Sequence, residues 1–316
     1  MNFWWQPDPP VWSAPLGALS AMYRAGAAVH RAFSRPVKVR VPVISVGNLT
    51  VGGAGKTPVA LDLARRLAAR GRRPAVLSRG YGRRSREPLE VTAGAAVELA
   101  GDEPLLIARR GFRVFVGPRR AALAELAIGR GADVLLLDDG LQHYGIARDL
   151  DVIVADASNP FGNGRLLPAG PLREPVSALG RVQLGLVWLT RCDRPRDPRT
   201  VALRDFPAVE SDYQADGGVR GRKVFLFAGI ARPESFAETV RGLGAEIVGT
   251  RWFRDHHLYT ASELSDLEAR AAGALLVTTE KDLVRIEQPG GIVAVRVDVR
   301  ILRGEEALER ALGDVL

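Results

Sequence analysis

The chain holds one cysteine, Cys192, among 316 residues, so no disulfide can close within it and a reducing, cytosolic setting is expected. It lacks any apolar run of the ~18 residues needed to cross a bilayer. The longest uncharged stretches, 9–23 and 41–55, are broken by prolines or by glycines. No basic segment precedes an apolar core at the N-terminus, so no secretory signal is expected. Histidines number four, and no Cys/His spacing matches a zinc site. What the chain does have is a surplus of cations: 44 Lys+Arg against 36 Asp+Glu, a net charge of +8. Such a surplus attracts phosphates, nucleic acids or an anionic lipid surface.

The first forty residues stand apart. Phe3, Trp4, Trp5 and Trp12 lie ahead of apolar positions at helical spacing (Leu16, Leu19, Tyr23, Ala27), which predicts an amphipathic helix to about Phe33. Arg24, Arg31, Arg35, Lys38 and Arg40 follow, against one acid, Asp8. The pattern fits a helix lying on an anionic membrane, and equally a helix packed on the domain with a solvated basic face.

Strands are predicted at 41–46, 74–78, 112–116, 134–137, 151–155 and 182–190. Helices are predicted at 56–70 and 120–129. Continuous apolar strands alternating with helices imply a parallel sheet covered on both faces. The polar stretch 192–221 reads as a hinge. A second alternation follows, with strands at 224–228, 246–249, 274–278 and 292–299 and helices at 233–243 and 262–272. The expected division is 1–40, an amphipathic segment; 41–218, the main domain; 219–303, a smaller α/β domain; and 304–316, a helix returning to the first.

The most informative segment runs Val43-Ile-Ser-Val-Gly-Asn-Leu-Thr-Val-Gly-Gly-Ala-Gly-Lys-Thr-Pro58. An apolar strand passes through glycines into Lys56, Thr57 and a helix, the context of a nucleotide phosphate loop. Thr50, Val51, Gly52, Gly53, Ala54 and Gly55 would turn backbone amides toward phosphate oxygens. Lys56 would reach the β- and γ-phosphates, and Thr57 would bind Mg²⁺. The general pattern asks for glycine at position 50, where this chain has Thr50. The expected fold class is therefore α/β: a P-loop NTPase-like, mostly parallel sheet with helices on both faces, a second smaller α/β domain and an N-terminal amphipathic helix.

Four aliphatic residues end in Asp138-Asp139-Gly-Leu-Gln-His143, where a carboxylate can support Mg²⁺; a plain strand-end turn has the same look. Gly101-Asp102-Glu103-Pro104, alone, reads as a helix start. Arg254-Asp255-His256-His257, alone, reads as surface. The loop 78–86 (SRGYGRRSR) is basic and flexible and could hold a phosphate.

Together these segments resemble the tetraacyldisaccharide 4′-kinase family, the lipid A disaccharide kinases. The matching stretches are 43–58, SRGYG at 78–82, GDEP at 101–104, DDGLQHY at 138–144, FGNGRLLPAGPLRE at 161–174, AGI at 228–230, DH at 255–256 and TEKD at 279–282. Each is weak; the ordered set is specific, and within this family Thr50 is no misfit. The resemblance implies transfer of the ATP γ-phosphoryl to the 4′-hydroxyl of tetraacyldisaccharide 1-phosphate, giving lipid IVA in lipid A biosynthesis. It implies ATP and Mg²⁺, Asp102 as base with His256 as partner, Glu103 with Asp138 or Asp139 near the metal, and Arg173 as a phosphate contact. Arg79 is a candidate substrate contact in the basic loop. A peripheral place on the cytoplasmic face of the inner membrane, a membrane-surface contact, a monomer and no nucleic-acid partner are also expected. With Asp102 in the first domain and His256 in the second, domain closure is expected to assemble the base.

Three rival readings fit parts of the sequence. A phosphate-loop ATPase or GTPase switch fits the loop, but guanine selection uses Asn-Lys-x-Asp where this chain has Thr190-Arg191-Cys192-Asp193. A soluble small-metabolite kinase would not need the tryptophan-rich basic N-terminus. A nucleic-acid binder would cluster its basic residues and show an aromatic signature.

Overall fold

A computed structural model describes residues 2–6, 10, 13–231 and 233–316. Trp12, Asp8 and Pro9 of the N-terminal reading lie outside them. In chain order the elements are α1 (Leu16–Phe33), β1 (Val43–Gly47), α2 (Lys56–Ala69), β2 (Pro74–Ser78), β3 (Leu89–Val91), α3 (Val97–Ala100), α4 (Asp102–Arg109), β4 (Arg113–Val116), α5 (Arg120–Gly129), β5 (Val134–Asp138) and β6 (Leu150–Asp156). They continue with β7 (Gly185–Thr190), β8 (Ala208–Asp216), β9 (Lys223–Ala228), α6 (Pro233–Gly242), β10 (Glu246–Trp252), α7 (Ala261–Ala271), β11 (Leu275–Thr279), α8 (Glu280–Leu283), β12 (Val293–Arg303) and α9 (Glu305–Gly313).

These elements form two compact units. The first comprises Met1–Arg79, Gly117–Tyr213 and Val299–Leu316; the second comprises Gly80–Val116 and Gln214–Asp298. The expected boundaries differ from this division, because residues 80–116 join the second unit and not the chain on either side of them. Sequence order says which segment comes next but not which core it joins.

In the first unit the strands run β8–β7–β6–β1–β5–β2. β1 pairs in parallel with β5 and β6, β5 with β2, and β7 with β6 and β8. Every residue of β1, β2, β5, β6 and β7 is buried, which is why these strands read as unbroken apolar runs. The register Val46↔Asp138 sets the end of β1, where the glycine loop begins, level with the acid that ends β5. α2 buries Val59, Ala60, Leu61, Leu63, Ala64 and Leu67.

The expected hinge at 192–221 contains a 3₁₀ turn, Pro198–Leu203, and the strand β8. Along β8 Val209 and Ser211 are buried while Ala208, Gln214 and Asp216 are exposed. A strand buried on alternate positions needs few apolar residues and so looks like a polar loop.

α1 forms as predicted, yet only Ser20 on it is buried. The Ser20 hydroxyl donates to the Leu166 carbonyl at 2.9 Å. Phe33 is 85% and Met22 71% exposed, with Leu19 and Val29 also open. The aromatics ahead of the helix behave oppositely: Phe3 is buried, and the Trp4 indole donates to the Pro168 carbonyl at 3.0 Å.

In the second unit β10–β9–β11–β12 form a parallel sheet, and β3 pairs antiparallel with β4. β9 alternates between two cores. Val224, Leu226 and Ala228 pack with Phe236, Ala237 and Val240 of α6. Phe225 and Phe227 pack with Leu267 and Ala271 of α7. Side chains of a strand point to opposite faces in turn, so this strand is covered on both.

Candidate active site

The first unit carries the glycine loop. Asn48 follows β1, is fully buried, and its side-chain amide donates to the Thr50 hydroxyl at 3.1 Å. The Val51 amide donates to the Pro171 carbonyl at 2.8 Å and the Arg173 amide to the Leu49 carbonyl at 2.7 Å. The segment 171–173 therefore braces the front of the loop and delivers Arg173 to it. Gly55 caps α2 with φ +88°, and a Cβ there would overlap the Tyr213 hydroxyl, so glycine is required twice over. Lys56 and Thr57 are the first residues of α2, where amides have no intrahelical acceptor and are available to an anion.

The side chains around the loop form one charged group. The Lys56 ammonium donates to Asn48 Oδ1 at 2.9 Å and lies 3.3 Å from Asp139 Oδ1. Arg173 Nη1 donates to Asp139 Oδ2 at 2.6 Å and to Gln142 Oε1 at 3.3 Å. Burial pushes the Asp139 carboxyl up, but Lys56 and Arg173 outweigh it and hold the group below the usual carboxylate range. Asp138 is buried and accepts the Ser78 hydroxyl at 2.9 Å. Arg120, also buried, donates to the backbone carbonyls of Gly117 and Asp138. Burial pulls Arg120 down to about 10. Arg79 is exposed, and its charge acts on both Arg120 and His143. A cavity of about 410 Å³ opens beside Arg173 and Gln142, lined also by Tyr23, Ala27 and His30 of α1.

The hydroxyl of Thr57 and the carboxylates of Asp138 and Asp139 are hard oxygen donors of the kind Mg²⁺ takes. Among the described residues no group of three or more His, Cys, Asp or Glu could hold a metal.

The second unit carries the other cluster. α4 starts at Asp102 behind Gly101, which has φ +85° and whose Cβ would stand 3.0 Å from the Tyr81 carbonyl. Asp102 Oδ2 faces His256 Nδ1 at 2.8 Å and accepts Arg285 Nε at 3.1 Å and Arg285 Nη2. Asp102 Oδ1 accepts the Glu103 amide at 3.1 Å. Burial pushes the Asp102 carboxyl up, but the hydrogen bond with His256 and the Arg285 charge prevail and hold it well below the usual carboxylate range. The same bond to Asp102 raises His256 against the opposing effect of its own burial. His256 has φ +63°, an uncommon backbone state held by its amide on the Gly229 carbonyl at 3.1 Å. The Tyr81 ring lies 5.7 Å from the His256 ring. Glu103 pairs with Lys281.

A family model described as tetraacyldisaccharide-1-P 4′-kinase matches residues 12–316. The chain belongs to the tetraacyldisaccharide-1-P 4′-kinase family. It is 47% identical to a tetraacyldisaccharide 4′-kinase of Anaeromyxobacter sp. (strain Fw109-5), over 100% of this chain and 97% of that one. It is 42% identical to one of Methylobacterium sp. (strain 4-46), over 98% and 95%. Among solved structures it resembles the LpxK of Aquifex aeolicus, in the crystal form described as "apo" and in complex with ATP. The TM-score is 0.79 at 28% identity, covering 96% of this chain and 99% of that one.

Against that family, the expected site residues fall into two groups. Thr50, Val51, Gly52, Gly53, Ala54, Gly55, Lys56, Thr57, Asp138, Asp139, Arg79 and Arg173 belong to the first unit; Asp102, Glu103 and His256 belong to the second. The expectation that domain closure brings Asp102 to His256 is corrected: both lie within one unit, already in contact. Three family segments explain themselves here. AGI supplies Gly229, TEKD supplies Thr279 and Asp282, and DH supplies His256, all around Asp102. Sequence reading missed Asn48 and Arg285. The only signals were a polar residue between an apolar strand and the glycines, and an arginine three positions after Asp282.

Proposed function

We propose that the chain is an ATP-dependent lipid kinase that phosphorylates the 4′-hydroxyl of tetraacyldisaccharide 1-phosphate to give lipid IVA. The observation that carries this reading is a buried carboxylate, Asp102, bonded to His256 in a chain that also presents a Gly-Lys-Thr phosphate loop. The loop amides and Lys56 bind the ATP phosphates. Thr57 with Asp138 or Asp139 would hold Mg²⁺, which would supply charge neutralisation on the transferred group. Binding moves Lys56 and Arg173 from Asp139 toward phosphate oxygens. The bond from ATP's bridging oxygen to the γ-phosphorus breaks as the acceptor oxygen bonds to it, and ADP leaves. The hydroxyl proton passes to Asp102, whose Oδ1 retains a lone pair while Oδ2 is filled by His256 and Arg285. His256 orients the carboxylate through Nδ1.

The 410 Å³ cavity against α1 supports an acceptor site reaching from Arg173 to the helix. No described helix is long and apolar enough to cross a membrane. The exposed Met22, Val29 and Phe33 with the flanking arginines support peripheral attachment to an anionic membrane surface, which the reading assigns to the cytoplasmic face of the inner membrane.

One assay tests both claims: transfer of label from [γ-³²P]ATP to tetraacyldisaccharide 1-phosphate in detergent micelles and in anionic vesicles. Labelled lipid is expected in both, lost with Lys56→Ala; no label in either overturns the kinase reading. The double variant Met22→Ser/Phe33→Ser should lose rate on vesicles only. An equal rate on vesicles overturns the attachment.

A further inference from the structure

Arg285 is 5% exposed and Asp282 is fully buried; the mechanism above uses Arg285 only as an occupant of Asp102 Oδ2, and Asp282 not at all. Arg285 is locked from behind: Nη1 donates to the Gly229 carbonyl at 2.9 Å and to Asp282 Oδ1 at 3.0 Å. Asp282 is fixed in turn. Its Oδ1 accepts the Gly229 amide and the Tyr259 hydroxyl, both at 2.8 Å, and its Oδ2 accepts the Thr279 hydroxyl at 2.6 Å. What remains of the guanidinium, Nε and Nη2, points at one oxygen of Asp102.

That choice of oxygen matters. The terminal torsion of an aspartate is broad and close to two-fold, so an unrestrained carboxylate exchanges its two oxygens freely. Arg285 and His256 both take Oδ2, and together they select one of the two flips. A purely stabilising ion pair has no need to converge on an oxygen already bonded to a histidine.

We propose that Arg285, locked by Asp282, is a positioning residue for phosphoryl transfer, turning Asp102 Oδ1 toward the acceptor hydroxyl. The inference rests on the reading of Asp102 as the base. Arg285 acts through Asp102 and does not touch substrate.

The test measures kcat and the KM of ATP and of acceptor lipid in micelles. The proteins compared are wild type, Asp102→Asn, Arg285→Gln, Arg285→Lys and the double variant Asp102→Asn/Arg285→Gln. Arg285→Gln should lower kcat on the order of tenfold to a hundredfold with both KM values within about twofold. Arg285→Lys should recover part of the loss, keeping a cation without the two-pronged fork. In the Asp102→Asn background Arg285→Gln should cost nothing more, the mark of a group working through Asp102. Should Arg285→Gln fail to fold, Arg285→Lys and Asp282→Asn carry the test, each keeping a cation beside Asp102 and each expected to lower kcat about threefold. Unchanged kcat in these variants, or an undiminished further loss in the Asp102→Asn background, overturns the proposal. Wild-type kcat in Asp102→Asn fails the base reading itself, a separate outcome.

Discussion

The two charged clusters of this kinase are built in opposite ways. Around the glycine loop two cations, Lys56 and Arg173, share one half-buried carboxylate, Asp139. Around Asp102 the arrangement is reversed: a buried carboxylate is gripped by Arg285 and His256, and Arg285 is itself tied to Asp282. The first cluster sets two cations against one carboxylate, an arrangement suited to rearranging when phosphates arrive. The second is over-determined and is made to stay still. Binding a polyanion asks for displaceable counter-ions, whereas accepting a proton asks for fixed geometry.

Two changes sharpen that contrast, the larger first. Asn48→Ala removes the neutral partner that holds Lys56 at 2.9 Å. One lost hydrogen bond to a charged group predicts about a tenfold rise in the KM of ATP, with a smaller change in kcat. An unchanged KM would show that Asn48 does not aim the lysine.

The second is a pH effect and smaller. Burial, with the charges of Arg120, Arg79 and Arg148, pushes His143 down from 6.5 to about 4. The unfolded chain therefore binds this proton more readily. The stabilisation from a neutral His143 is complete above pH 6.5 and is lost as pH falls toward 4. The thermal midpoint of wild type should drop across that window, and His143→Gln, neutral throughout, should flatten the drop. Identical curves for the two proteins would contradict a cationic basin beside Asp138.

Much of the first cluster is legible in the sequence because it is local: strand, glycines, Lys56, Thr57 and helix are consecutive, and Asp138 ends an apolar strand. Arg173 is harder to place, since only the pairing of 171–173 with the loop explains its position. The second cluster is assembled from 101–103, 228–230, 255–256 and 279–285. None of these carries a periodic signal, and Arg285 is three residues outside the family segment it completes. The stretch 192–221, expected as a hinge, does contain the passage from the first unit to the second at Tyr213 and Gln214, but that passage is a strand: β8 buries only alternate residues, so its composition resembles a loop.

The division of labour is tested most directly by measuring ATP affinity and single-turnover transfer on Lys56→Ala and Asp102→Asn side by side. Asp102→Asn should bind ATP within about twofold of wild type while transfer falls on the order of 10²–10⁴-fold, and Lys56→Ala should lose both. An Asp102→Asn protein that transfers phosphate at the wild-type rate, or that loses ATP as severely as Lys56→Ala, would contradict the account.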